Sequence, residues 1–529
     1  MTPAINSIFM DRAKACEVNE MPDVIDRIAA TLDTHAADRA IEFAGSWINW
    51  GDVKRYGDQV TALLDSAGCP PAEKIGIVIR NRPAYAAAIV GLLVHRRSIS
   101  FIYAFSPPRV LAEQIKSLNA AAIIADDADW LRIHDAVAEC GTAGITLGSA
   151  YGAAHDAPRF EAGLEQMRRP HGPPATSHAA PEAAIEVLSS GTTGTPKRIN
   201  MPLQMLERAV QSAPGGESGV EPPIQINIWP FGGVGGTCLL AASAAIGIPM
   251  VLMERFTVAE FASALRRHRP PMLGLSPTAI SMIMDADVPA EDFASVIMVS
   301  GGSAHLDPDL QDRFEEKYNL PVYWAMGATE FCGTIIRWTP QMREKVGNSK
   351  RGSIGLPMPG VEIRVVDPET GEILGAGQDG LLEVYCPAVR PDWVRTTDLM
   401  MIDADGYAFH RGRHDGAITR GGFKIMPEQI IKVLRAHPAV ADASVIGLAD
   451  KRLGAVPVAA VELLSQAPPT TPDQLIDYLR ANLPSTHVPA ELRIVEALPR
   501  TASLKVSLAD MRLLFEAPAE PGQAAEGRP

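Results

Sequence analysis

Cysteine is scarce in this chain: six in 529 residues (Cys16, Cys69, Cys140, Cys238, Cys332 and Cys386), none of them in a Cys-x-x-Cys pair. That spacing excludes a disulfide framework and a cysteine-built zinc site, and a reducing cytoplasm is the expected compartment. Long apolar runs are missing too, so no membrane span is expected. The first sixteen residues lack a basic stretch followed by an apolar one, so no secretory signal is expected. Excess positive charge is also absent. The formal net charge of −14 argues against a general nucleic-acid binder and leaves small ligands open. No repeat of fixed period is present. What remains is 47% hydrophobic and 21% charged residues, an ordinary globular balance. The length predicts about three domains.

Much of the chain alternates apolar strands with helices. Residues 21–66 read as a helix, a hairpin turning at Gly45-Ser46, and a second helix ending at Gly68. Next come a strand at 74–79, a helix at 84–97 and strands near 98 and 121. After residue 224, short apolar runs (IQINIWP, MVLM, MLGL, SVIMVSGG) repeat the pattern. This predicts an α/β fold with mostly parallel sheets. Residues 169–182 read as a Pro-rich connector and residues 517–529 as a disordered tail.

The most informative stretch is VLSSGTTGTPKRIN, residues 187–200. An apolar strand end runs into Ser189, Ser190, Gly191, Thr192, Thr193 and Gly194, and Lys197 follows. Glycines permit close backbone approach, hydroxyls donate without bulk, and a lysine adds a point charge. Together these suit a polyphosphate. A flexible linker of this composition does not usually join a buried strand to Pro-Lys-Arg. The spacing differs from GxxxxGK[ST], with Arg198 where Ser or Thr follows the lysine.

SSGTTGTPK closely resembles the phosphate loop of the acyl-adenylate-forming superfamily, which contains acyl-CoA synthetases, peptide-synthetase adenylation domains and luciferases. Five further motifs resemble that family in the same order. VSGG with Ser303 resembles the turn that cradles adenine, at Gly301 and Gly302. WAMGATE resembles YGxTE, with Met326 for tyrosine, then Gly327, Ala328, Thr329 and Glu330. The resemblance implies that Thr329 meets the α-phosphate and that Glu330, with Thr192, holds Mg²⁺. RTTD and GRHDG resemble TGD and GRxDD. Asp398 then takes the ribose hydroxyls, Arg413 contacts ribose or phosphate, and Asp415 marks the hinge. Thr397 and Gly416 are departures, and glycine at 416 loosens a hinge. RGGFKIMPEQI resembles the pantetheine-tunnel segment, with Gly421, Gly422 and Lys424. PRTASLK resembles PRTxxGK, so Lys505 is the lysine that bridges the substrate carboxylate and the α-phosphate. Lys505, Thr329, Glu330 and Lys197 form the implied catalytic set.

Leu504 stands where the family has glycine. The simpler expectation is a turn re-formed to suit leucine, in which glycine would loosen the loop and slow adenylation. The acid pocket is implied around WPFGGVGG: Trp229, Phe231, Gly232 and Gly233, with Gly302 and Met326. No carboxylate is there to pair an α-ammonium, so a hydrophobic acid is expected rather than an amino acid. The resemblance implies a large N-terminal domain (1–411), a hinge (412–416), a small mobile α+β domain (417–516) and the tail. It implies an acid–thiol ligase using ATP, Mg²⁺ and coenzyme A. An acyl carrier protein as acceptor, a luciferase-type oxidation, a member without turnover, and a homodimer stay open.

Overall fold

The computed structural model describes residues 23–106, 108–150, 159–164, 183–188, 198–212, 223–420, 423–450, 453–501 and 504–516. The architecture is α/β throughout, with a large N-terminal domain and a C-terminal one. A seven-stranded sheet runs in the order 159–164, 143–150, 122–126, 74–79, 98–103, 184–188, 198–202. Its five central strands are parallel. A five-stranded sheet joins parallel strands Met272–Leu275, Met298–Gly301 and Val322–Ala328 to the antiparallel Gly333–Arg337 and Leu356–Pro357. A third sheet contains the hairpin Arg39–Phe43/Ser46–Asn49, and a fourth, antiparallel sheet holds Arg390–Ile402 and Ala408–Arg413. The C-terminal domain wraps helices Pro427–Arg435 and Pro472–Asn482 around a mixed sheet centred on Gly454–Leu463. No helix among the described residues is long and apolar enough to cross a membrane.

Local chemistry explains the boundaries. Asn49 and Asp52 form a capping box that starts helix Trp50–Ser66. Its buried face is Trp50, Val53, Tyr56, Gly57, Val60, Thr61 and Leu64. Gly57 meets Gly91 of helix Pro83–Val94 so closely that a Cβ on Gly91 would lie 2.4 Å from Gly57 Cα. That contact is what lets the two helices cross. The expected helix 84–97 stops earlier, at Val94. Arg96 takes φ +49°, and the Arg97 amide reaches back to the Leu92 carbonyl, the reverse turn that ends a helix. The Arg97 side chain is then buried, donating to the Cys69 carbonyl at 2.7 Å and to Asp65. The hairpin turns at Ala44-Gly45, both with positive φ, one residue before the expected place.

Candidate active site

A cleft of about 1610 Å³ opens between the two domains. Strand Val322–Ala328 brings Met326, Gly327 and Ala328 to its wall, and the short turn Thr329–Phe331 adds Thr329 and an exposed Glu330. Strand Met298–Gly301 ends beside Ser303, Ala304 and His305, which also line it. The antiparallel pair Arg390–Ile402/Ala408–Arg413 contributes Asp398, His410 and Arg413. The C-terminal domain supplies Arg500 and Lys505.

Charge is concentrated around Asp398. Its carboxylate lies 3.6 Å from Arg413 Nη1 and 3.5 Å from His410 Nε2. Asp398 and Arg413 are direct partners across the strand pair, and a bulge between Leu399 and Met400 turns His410 to the same side. Half-buried Lys505 faces this group. Burial and the Arg413 guanidinium push the Lys505 ammonium below the ordinary lysine value, and Asp398 pulls it back. The His305 ring stacks on His410 with centroids 5.9 Å apart and stays exposed at the cleft wall. The surrounding protein, then His410, hold the His305 imidazole below its usual range.

Behind the wall, the glycines before Ser303 have a packing task. A Cβ at Gly301 would stand 2.2 Å from the Leu275 carbonyl oxygen, and one at Gly302 would stand 2.6 Å from that of Ala325. They set the close approach of neighbouring strands, while the cleft lining falls to Ser303. Gly327 is equally constrained, 2.5 Å from the Gly333 carbonyl oxygen by the same construction.

The phosphate-loop candidates Ser189, Ser190, Gly191, Thr192, Thr193, Gly194 and Lys197 lie outside the described residues, as do Gly421 and Gly422 and the side chains of Asp415 and Lys424. The flanks of the phosphate loop are described. Strand Ala184–Leu188 pairs antiparallel with Arg198–Pro202, so Leu188 and Arg198 face each other at the loop's base. Arg198 Nη1 donates to Ser100 Oγ at 2.6 Å and the Phe101 carbonyl at 3.2 Å.

The acid-pocket candidates separate. Phe231 is fully buried in the largest core cluster, and its carbonyl accepts from Thr237 Oγ1 at 2.6 Å. It is a core residue, with no surface to offer a ligand, and that expectation is corrected. Gly233 caps helix Val234–Ile246, and an added Cβ would meet only Pro230 O at 3.6 Å and the Tyr103 hydroxyl at 3.9 Å. Gly232 sits closer to Tyr103, whose hydroxyl donates to its carbonyl at 3.4 Å. Trp229 is half-buried against the neighbouring core, its indole nitrogen beside Gly274.

The expected leucine-compatible turn is corrected as well. Leu504 adopts φ +62°, the left-handed region that favours glycine. Sequence reasoning also passed over Thr278, His305, His410 and Arg500. The two histidines lie just outside quoted motifs, His305 two residues after Ser303 and His410 two before Gly412, and Arg500 lies inside PRTASLK itself. The part Thr278 plays becomes visible only once the domains face each other.

Among the described residues, no group of three or more His, Cys, Asp or Glu side chains is arranged to hold a metal. A magnesium ion here fits only as one held by a single carboxylate together with phosphate oxygens, and exposed Glu330 suits that.

The AMP-binding enzyme family model matches residues 28–390, and the AMP-binding enzyme C-terminal domain model matches 431–505. The chain is 29% identical over 336 residues to 2-succinylbenzoate--CoA ligase of Bacillus subtilis, covering 61% of this chain and 67% of that one. It is 25% identical over 499 residues to 4-coumarate--CoA ligase 5 of Oryza sativa, covering 88% and 89%. In fold it is similar to an ATP-bound RpMatB-BxBclM chimera (TM-score 0.77, 20% identity, 93% and 99% covered). It is also similar to a benzoate CoA ligase from Burkholderia xenovorans (TM-score 0.74, 20% identity, 93% and 100% covered). With both domain models matched in order across most of its length, the chain belongs to the AMP-binding enzymes.

Proposed function

We propose that this enzyme is an AMP-forming acid–thiol ligase that adenylates a hydrophobic carboxylic acid and passes the acyl group to coenzyme A. One observation carries the reading: Thr329, Glu330, Asp398, Arg413 and Lys505, from separate elements of both domains, line one cleft. Asp398 accepts the ribose hydroxyls of ATP, with Arg413 beside it. The acid's carboxylate attacks the α-phosphorus in line. A new acyl–O–P bond forms, and the bond to pyrophosphate breaks. Negative charge grows on the α-phosphate oxygens. Lys505 and Thr329 donate to them, and such a preorganised donor is worth about 10²–10³ in rate. Residues 189–197, with Lys197, hold the departing phosphates. Glu330 would hold a magnesium ion, which would neutralise phosphate charge when bound. For Lys505 to act, it must keep its proton, and phosphate favours that by opposing the depression that burial imposes.

The C-terminal domain, beginning near residue 417, then turns about the hinge at 412–416 and carries Lys505 away. Gly421, Gly422 and Lys424 come to the site with the thiol. The thiolate attacks the acyl carbon, AMP leaves, and a thioester forms. The acid is aryl or otherwise apolar. Gly232 and Gly233 lie next to Tyr103, residues 231–234 carry no carboxylate to pair an ammonium, and the two relatives above are named for aromatic acids. Coenzyme A is the acceptor named in both relatives. Six cysteines, with none paired among the described residues, fit a cytoplasmic enzyme. Mass spectrometry of the product formed with coenzyme A tests the acceptor, and a carrier-protein adduct in place of an acyl-CoA would redirect it.

A further inference from the structure

The segment carrying Lys505 is a small hairpin. Arg500 and Val506 bridge as strand neighbours, the Thr501 amide donates to the Lys505 carbonyl at 2.7 Å, and the Leu504 amide donates to the Thr501 carbonyl at 2.9 Å. Leu504 at φ +62° stands in the left-handed region, a position that suits glycine. Leucine is unfavourable there because its Cβ crowds the following carbonyl. Two contacts across the domain boundary accompany it. The Leu504 side chain packs against the apolar cluster that contains Leu275, Ala279 and Ile280 of the N-terminal domain. Its carbonyl accepts from Thr278 Oγ1 at 3.1 Å, at the start of helix Pro277–Asp285. Arg500, held by Asp442 at 2.7 Å and Glu462 at 3.3 Å, donates to the same Thr278 hydroxyl at 3.2 Å.

We propose that Leu504 is a positioning residue, a latch that favours the domain arrangement with Lys505 in the cleft. The backbone strain is internal to the hairpin and travels with the C-terminal domain. It is the same whether the hairpin is docked or withdrawn, so it cancels from the equilibrium between the two arrangements. The packing on that N-terminal apolar cluster and the Thr278 hydrogen bond exist only in the docked one. Replacing leucine by glycine therefore relieves strain in both arrangements and removes a contact from one. The docked population falls, and so does adenylation. This inference rests on the ligase reading for its catalytic consequence, although the docking itself does not depend on it.

Hydrogen exchange in the full chain, with and without ATP and magnesium, tests the latch directly. Peptides covering 276–285 are read in the wild type, Leu504→Ala, Leu504→Gly and Leu504→Met. Losing a half-buried leucine contact should speed exchange there about tenfold in the alanine and glycine variants. Methionine should stay near wild type. Exchange unchanged in Leu504→Ala, or slower in Leu504→Gly, overturns the latch. Should either small variant fail to fold, Thr278→Val reports the same loss through the hydrogen bond, and no change in it overturns the latch equally.

Single-turnover rates supply the second readout. Adenylation of 4-coumarate should slow about tenfold in both small variants. Conversion of supplied 4-coumaroyl-adenylate with coenzyme A should hold or rise. Equal slowing of both halves would mean a merely structural role. A wild type that adenylates no acid of a panel sinks the ligase reading, and the exchange data still decide the latch.

Discussion

Removing the Asp398 carboxylate perturbs the centre of the cleft and has two linked consequences. Only 14% of that side chain is exposed, and it lies between Arg413 and His410. If one carboxylate accepts both ribose hydroxyls, Asp398→Asn loses the charge assistance on two hydrogen bonds while keeping the shape. Hydrogen bonds to charged groups are worth about 1.5–3 kcal/mol, so the ATP Kd should rise roughly tenfold to a hundredfold. The second consequence concerns Lys505. Burial and Arg413 already oppose its proton, and Asp398 is the group that favours it. With the charge gone, the Lys505 pKa falls further. The alkaline limb of kcat/KM for adenylation, which reports the free enzyme, therefore moves to lower pH in Asp398→Asn. Calorimetry with ATP and a pH–rate profile measure the two effects separately. An unchanged Kd together with an unmoved alkaline limb would refute the placement of Asp398 as ribose ligand and as partner of Lys505.

Lys505→Ala should reduce adenylation by about 10²–10³ while a supplied acyl-adenylate is still converted to thioester, and equal loss of both halves would remove the lysine's assigned role. A Cβ at Gly233 meets nothing closer than 3.6 Å, and Gly233→Phe should shift kcat/KM toward smaller acids. Proportional loss over acids of graded size, with the melting temperature intact, would mean that Gly233 is not part of the pocket. Glu315 joins Arg343, at 2.6 Å and 2.7 Å, with Arg351 and the Val322 amide. Burial opposes its charge, but these partners outweigh it and hold its pKa at about 2. That stabilisation is complete above the ordinary glutamate range and is lost as pH falls toward about 2. Glu315→Ala, which takes this carboxylate from Arg343 and leaves Arg351 with Asp312, should cost about 3 kcal/mol at neutral pH and much less in acid. Denaturation midpoints at the two pH values check it, and an equal loss at both would show that the ion pairs are not the source.

Elements with strong local signals were legible in the sequence. The capped helix Trp50–Ser66 and the short parallel strands at 250–252, 272–275 and 298–301 follow from capping residues and apolar runs. The cleft residues Thr329, Glu330, Asp398, Arg413 and Lys505 were legible because each sits in a motif with its own spacing. Phe231 misled because an aromatic beside glycines reads the same whether it faces a ligand or the core, and only packing decides. Leu504 misled for a different reason. Its left-handed φ is set by the hairpin around it, and the compensating contacts come from residues more than two hundred positions earlier. The pairing of Arg500 with Asp442, Glu462 and Thr278 is equally non-local. No window of sequence contains such contacts.

The central claim is that one enzyme joins a hydrophobic carboxylic acid to coenzyme A through an acyl-adenylate. The most direct measurement is pyrophosphate release over a panel of aryl, alicyclic and fatty acids, with ATP and magnesium, each assayed with and without coenzyme A and followed by mass spectrometry of the product. The account predicts acid-dependent pyrophosphate for at least one hydrophobic acid, and the mass of its acyl-CoA when coenzyme A is present. No acid-dependent pyrophosphate across the panel, or an adenylate that coenzyme A does not convert, would contradict it.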